Sequence, residues 1–132
     1  MEEAKLYSLK QIGIACFFGT PVASLFMIAA NYRAVGDSYK SKFTYIAAFV
    51  LLPFLAFFLP QLTEKNIYRL LIFIVSVFMA CLADRLQGDL YKDHIARGGS
   101  INTAWRAIKV IVASDLIIIF TTVFYFLIFK HN

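Results

Sequence analysis

The chain reads as an all-α, polytopic membrane protein with four transmembrane helices, the third and fourth forming a hairpin that extends into the cytoplasm. Two observations predict this. Four apolar stretches, Ile12 to Ala30, Phe43 to Leu59, Ile67 to Ala83 and Val110 to Phe129, run for 19, 17, 17 and 20 residues. A helix needs about 20 residues, or about 17 at the short end, to cross a hydrocarbon layer roughly 30 Å thick. The composition is 61% hydrophobic and 16% charged, whereas soluble domains are about 45–50% apolar and about 25% charged. A 132-residue globule cannot bury that much apolar surface, so lipid must cover it, and one membrane domain takes up residues 1–132.

The first stretch is 19 residues long and follows a tail containing Glu2 and Glu3. Both features argue for a retained helix over a cleaved signal sequence. Ala15, Gly19 and Ala23 recur at spacing four and predict one small-residue face against which a neighbouring backbone packs closely. Within it, Pro21 cannot donate to the Phe17 carbonyl, which predicts a kink or local opening at Gly19-Thr20-Pro21. Such breaks form ion sites in transporters, and a kink shaped for packing is the plainer reading. Asn31 to Lys42 reads as a short turn in which Asn31 satisfies terminal carbonyls, Tyr32 and Arg33 anchor at the interface and Gly36 supplies positive φ.

The second stretch is aromatic bulk with Pro53 inside it. The third is expected to outrun the membrane, because Leu82, Leu86 and Leu90 keep helical spacing into the polar segment 84–109. Gly98-Gly99 is the natural stop, and Ser100 or Asn102 is the expected cap of a new helix running through Trp105 and Arg106. Trp105, Arg106 and Lys109 are expected at headgroup level.

The net charge of +5 comes from 13 Lys and Arg spread over five short segments, which excludes the single basic face of a nucleic-acid binder. Four crossings would put eight of these cations on the first and third loops, residues 31–42 and 84–109, against five opposite. The positive-inside rule then assigns those loops to the cytoplasm and both termini to the outside. Cys16 and Cys81 would sit about 15 Å apart in depth, since their helices are expected to run the same way, and both are expected to be buried free thiols.

Asp115 is the sharpest candidate for chemistry, since an Asp at the centre of a membrane helix costs about 2.5–3.5 kcal/mol on insertion scales. Either it forms a proton or cation site, with Thr122 on the same face, or it pairs with Arg33 or Arg85 to fix packing. Arg69 is near enough to its helix end to snorkel outward. His94 and His131 lie outside the apolar stretches, so neither haem nor a zinc site is expected, and His94 reads as part of a solvated helix face. No catalytic, cofactor or metal motif accompanies the scattered Ser, Thr and Asp. Gly19, Pro21, Arg33, His94, Arg106 and Asp115 are the candidate functional residues.

The segments Phe17-Phe18-Gly19-Thr20-Pro21-Val22-Ala23 and Asn31-Tyr32-Arg33-Ala34-Val35-Gly36 resemble a group of small, uncharacterised bacterial integral membrane proteins. In these, a helix reading roughly F-L-G-G-P-L-A leads into N-Y-R-A-L-G. Gln87, His94 and Trp105-Arg106 are similar to a glutamine, a histidine and a Trp-Arg start before that group's last helix. Thr20 and Val35 depart from the pattern, and Asp115 lies outside it. The resemblance implies a four-helix protein of the bacterial inner membrane and no particular activity.

Three functions compete on these residues. The leading one is a non-enzymatic protein working through helix contacts, as an accessory or assembly subunit of a larger membrane complex or as a homo-oligomer. The second is a small proton- or cation-coupled transporter or channel using Asp115. The third is a lipid-headgroup enzyme or an immunity-type protein using Asp84, Asp89, Asp93, His94 and Arg97. No cofactor and no nucleic acid is expected, and the lipid bilayer is the one general partner.

Overall fold

The computed structural model describes residues 4–58 and 65–129. The described residues form five helices: α1 Leu9–Phe18, α2 Pro21–Ala34, α3 Ser38–Phe58, α4 Lys65–Ala96 and α5 Ala104–Phe129. Their only β pairing is an isolated bridge between Leu6 and Ile101.

The single helix expected over Ile12–Ala30 is two helices. Ser8 caps α1 with a reciprocal box, its Oγ accepting from the Gln11 N–H while its own N–H donates to Gln11 Oε1, an arrangement that satisfies two of the orphan donors of a helix start. The chain then breaks at Gly19 and extends at Thr20 (φ −141°, ψ 165°), and Pro21 opens α2 in its first turn. Proline fits there because the missing N–H would have had no partner and its φ is already helical. The Gly-Thr-Pro sequence is therefore a stop followed by a start, where a kink within one helix was expected.

The two helices fold back on each other. Ser24 Oγ donates to the Ile12 carbonyl at 2.7 Å, and Asn31 at the end of α2 bonds both backbone groups of Tyr7, just ahead of α1. The antiparallel pairing makes a helical hairpin whose ten-residue α1 reaches down about 15 Å. A hairpin of that depth does not cross a layer from face to face, so the expected set of four crossing helices loses its first member. Ala15 and Ala23 are both fully buried, but they sit on opposite arms of the hairpin and do not share one helix face.

The other expectations fare unevenly. Helix α3 begins at Ser38, not Phe43, leaving only residues 35–37 as the turn; Leu59 lies outside the described residues. Asp37 starts α3, its Oδ1 accepting the Lys40 N–H at 3.0 Å, and that N–H together with the Lys40 ammonium at 3.1 Å holds the carboxyl below its ordinary range. The third helix does run on, as the leucine spacing implies: α4 has 32 residues, about 48 Å. It stops at Gly98, whose φ of +78° ends it in the left-handed region. The cap of α5 is Thr103, which accepts the Arg106 N–H, and not Ser100 or Asn102. Two segments, Arg69–Ala96 and Ala104–Ile128, are long and apolar enough to cross a membrane.

The hairpin forms the centre of the bundle. Helix α1 packs on α4, α2 packs chiefly on α3, and α5 touches α1, α2 and α3. The main core joins Ile12, Ala15, Cys16, Met27, Ile28, Met79 and Ala83, and a smaller one joins Val22, Ala48, Leu52 and Ile118. A Cβ at Gly13 would sit 3.3 Å from that of Ala80, so α1 and α4 approach closely there. Among the described residues the backbone of α4 comes close to neither α3 nor α5, and only side chains such as Ala83 and Ala107 share the core between α4 and α5. On the far side of the hairpin tip, Asn66, Ile67 and Arg69 to Leu71 of α4 are exposed.

The chain ends also differ from expectation. The Leu6 N–H donates to Ser100 O and the Asn102 N–H to Leu6 O, which pins the segment before α1 beside the α4–α5 turn. Ala4 therefore lies at the end of the bundle that holds both turns, while α5 finishes at the opposite end. Both cysteines are free thiols, but of the two expected to be buried only Cys16 is; Cys81 is exposed on α4. The expected reason fails in part, because α1 runs antiparallel to the helix carrying Cys81.

Candidate functional site at the hairpin tip

Three of the candidate residues converge at the tip. Helix α1 ends at Gly19 because its N–H still reaches the Ala15 carbonyl at 2.9 Å while its backbone turns away. A Cβ at Gly19 would lie 2.8 Å from that carbonyl oxygen, 3.0 Å from Ile111 Cγ2 and 3.4 Å from Asp115 Oδ1. Only glycine lets the tip seat against α5. Asp115 thus borders the break, about 16 Å along α5 from Ala104, with Pro21 opening the next helix.

The expected compensation of Asp115 by an arginine does not form. Among the described residues its carboxylate has no ion pair, and Arg33 and Arg85 are exposed. The nearby start of α2 carries the partial positive charge of unpaired N–H groups, which favours a neighbouring carboxylate. Thr20 precedes that start without a side-chain capping bond, and its Oγ1 is buried with no hydrogen-bond partner among the described residues. The tip therefore joins one carboxylate, one unpartnered hydroxyl and a helix N-terminus. That set can hold or exchange a proton, but it has no second titratable group to form a relay.

The remaining candidates are scattered over the end that holds the turns. Arg33 is exposed on the last turn of α2. His94 is not on a solvated face: its Nε2 lies 3.0 Å from Ser100 O, and its ring fills the space beside Gly99 that a Cβ would need. It fastens the α4–α5 turn. Arg106 Nη1 donates to Asn102 Oδ1 at 3.4 Å, and Trp105 is exposed with the Lys109 ammonium 5.9 Å above its ring. Asp93 pairs with Arg97 at 3.6 Å on the exposed side of α4 while the His94 ring turns to Ser100, so these three groups do not converge. No group of three or more His, Cys, Asp or Glu able to hold a metal occurs among the described residues.

The best-built polar arrangement involves residues whose joint role the sequence hid. Asn31 and Gln87 are each 1% exposed. Asn31 Oδ1 accepts the Tyr7 N–H at 2.7 Å, and its Nδ2 donates to Tyr7 O and to Gln87 Oε1, both at 2.9 Å. Gln87 Nε2 in turn donates to Ile28 O at 2.9 Å. Asn31 thus serves the backbone of an extended segment instead of its own helix carbonyls, and one amide pair ties that segment, α2 and α4 together. Tyr32 adds a second tie, its hydroxyl donating to Leu86 O at 3.2 Å. The one signal for this arrangement was the pair of amides bordering apolar stretches.

No family model, curated protein or solved structure matches the chain.

Proposed function

We propose that the chain is a multi-pass integral membrane protein that works through helix contacts, as a homo-oligomer or as an accessory subunit of a larger membrane complex. The observation that carries this reading is the half-depth hairpin. It covers α4 as far down as Val75 and Met79 and leaves the first turns of that helix open, with Asn66, Ile67 and Arg69 to Leu71 exposed. Phe18 at the tip is 72% exposed, and Leu70, Phe73 and Ile74 on α4 are exposed below it. Leu70, Phe73 and Ile74 stand three and four residues apart and so share one apolar face of α4 that another helix can cover.

On this reading α3, α4 and α5 cross the bilayer and the hairpin is re-entrant. Non-helical backbone at membrane depth is tolerated where protein covers it, as Ile111 and Asp115 do at Gly19. The charge distribution sharpens accordingly. Because the hairpin returns the N-terminal segment to the turn-bearing end, Lys5 and Lys10 join Arg33, Lys40, Lys42, Arg85, Lys92, Arg97, Arg106 and Lys109 there, leaving Lys65 and Arg69 opposite among the described residues. The positive-inside rule then assigns the N-terminus to the cytoplasm. The likeness of residues 17–23 and 31–36 to small bacterial proteins supports the bacterial inner membrane.

The test is cross-linking in native membranes with single cysteines in a Cys16→Ala, Cys81→Ser background. Ile74→Cys and Leu70→Cys are expected to give a cross-linked dimer or a discrete heteromeric species, while Lys92→Cys on the polar end of α4 gives none. Monomer alone at both α4 positions, with no co-purifying protein, overturns the proposal.

A proton- or cation-coupled pathway is the second reading, favoured by the carboxylate of Asp115 lying against the hairpin tip without a cationic partner. Asp115→Asn keeps the shape and removes the titrating group. Under this reading it abolishes proton flux in reconstituted vesicles, and flux equal to that of the unaltered protein removes its motivating residue.

A further inference from the structure

We propose that the groove between the segment before α1, the last turns of α2 and the first turn of α5 is a binding seat for a phosphate group. The groove has a volume of about 410 Å³ and is lined by Lys5, Tyr7, Ala30, Ala34, Asn102 and Arg106. Ala30 and Ala34 lie one turn apart on α2, and their small side chains leave the space open. Three separate parts of the chain bring polar groups to it.

The donors are free to bind and one is held in place. Asn102 is fixed by its backbone bond to Leu6 O and by Nδ2 donating to Lys5 O at 3.0 Å. Its Oδ1 takes one N–H of Arg106, and a guanidinium has five, so the others remain available. Among the described residues neither Lys5 nor Arg106 has an acidic partner, and no carboxylate lines the groove. Tyr7 is only 8% exposed, yet its hydroxyl has no protein partner among the described residues. Burial pushes its phenol up, against the opposing charge of Arg106, so the hydroxyl stays a protonated donor.

The chemistry of that set selects the ligand. A planar fork, a point charge and a hydroxyl on three sides suit a tetrahedral anion with several oxygens better than a two-oxygen carboxylate. Phosphate of this kind comes either as a free ion or as the headgroup of an anionic phospholipid. Arg106 stands on the same first turns of α5 as Trp105 and Lys109, the expected interfacial anchors, which favours the lipid; that preference rests on the membrane reading, and the phosphate chemistry does not.

The test uses the full chain with two probes. In phosphatidylcholine nanodiscs containing a minor share of phosphatidylglycerol, native mass spectrometry is expected to find phosphatidylglycerol retained in preference. Arg106→Gln and Lys5→Gln each lower that retention by about tenfold, the loss of one charged hydrogen bond, while Tyr7→Phe lowers it less and the exposed Lys92→Gln leaves it unchanged. Inorganic phosphate titrated in detergent is the second arm. If it binds in an Arg106-dependent way and displaces the lipid, the groove is a phosphate site whether or not the chain spans a bilayer. If only phosphatidylglycerol binds, the ligand is a lipid headgroup. Equal lipid retention by Arg106→Gln and the unaltered chain, at matched helical content, overturns the proposal, as does binding of neither probe.

Discussion

Replacing Asn31 by leucine is expected to cost on the order of 3–5 kcal/mol, the largest loss of stability from any single change at the turn-bearing end. The side chain is nearly the same size, so packing is disturbed little. What disappears is the partner of three polar atoms at once: the Tyr7 N–H, the Tyr7 carbonyl and Gln87 Oε1, all bonded to Asn31 at 2.7 to 2.9 Å. Each buried polar group left unpaired costs about 1–3 kcal/mol, and a low-dielectric interior raises that penalty. The extended segment before α1 should then peel from α2, which limited proteolysis after Lys5 would detect. Denaturant titration of helical circular dichroism measures the loss. Because Gln87 shares the same bond, the pair Asn31→Leu with Gln87→Leu should cost clearly less than the sum of the two single changes. A loss below about 0.5 kcal/mol for Asn31→Leu, the ordinary range for a surface change, would contradict the network.

Gly19→Val is the second large effect and acts by exclusion. Even a methyl group at Gly19 would stand 2.8 Å from a backbone oxygen and 3.0 Å from Ile111. The carbonyl belongs to the last turn of α1 and cannot swing aside as a side-chain tip could. Overpacking costs about 1–3 kcal/mol in a close-packed core and sometimes more; a branched side chain against backbone belongs at the upper end. The tip should lift from α5, loosening the contacts of α1 and α2 with that helix. Gly13→Ala, whose added carbon meets only the Cβ of Ala80 at 3.3 Å, should cost visibly less. Equal melting temperatures for Gly19→Val and Gly13→Ala would show that the tip is not seated as described.

Much of the helical layout was legible in the residues because it follows from local rules. The extension of α4 past its apolar stretch was signalled by Leu82, Leu86 and Leu90, and its end by Gly98-Gly99, the kind of residue that enters the left-handed region at little cost. The free state of both cysteines was also expected. The hairpin was missed although its punctuation was present: Ser8 and Gln11 stand three apart as a capping box, and Thr20-Pro21 is a helix start. Those signals lost to a length argument. A largely apolar stretch of 19 residues satisfies the requirement for one crossing, but it meets that for two short arms equally well.

The candidate site was legible only in part, for a related reason. Gly19, Pro21 and Asp115 were singled out from sequence, yet whether they share a location depends on which way α1 runs beside α5. The same is true of the arginines: Arg33 lies twelve residues along α2 from Pro21, about 18 Å from the tip that Asp115 borders. His94, placed by pattern on a solvated face, is drawn in by a contact with Ser100 that no periodicity encodes.

By itself the sequence determined that the protein is helical, where the long helices run and which residues are apolar enough to meet lipid, because hydrogen bonding along a helix and its caps are settled within a few residues. Only the tertiary structure decided that the first apolar stretch folds back on itself, that Asn31 and Gln87 close a network around Tyr7, and that Lys5 and Arg106 border one groove. Those outcomes turn on contacts between residues up to 97 positions apart, as where Asn102 Nδ2 donates to Lys5 O. Such pairings are selected by packing and by the need to satisfy buried polar groups, and neither is expressed in any local window of the chain.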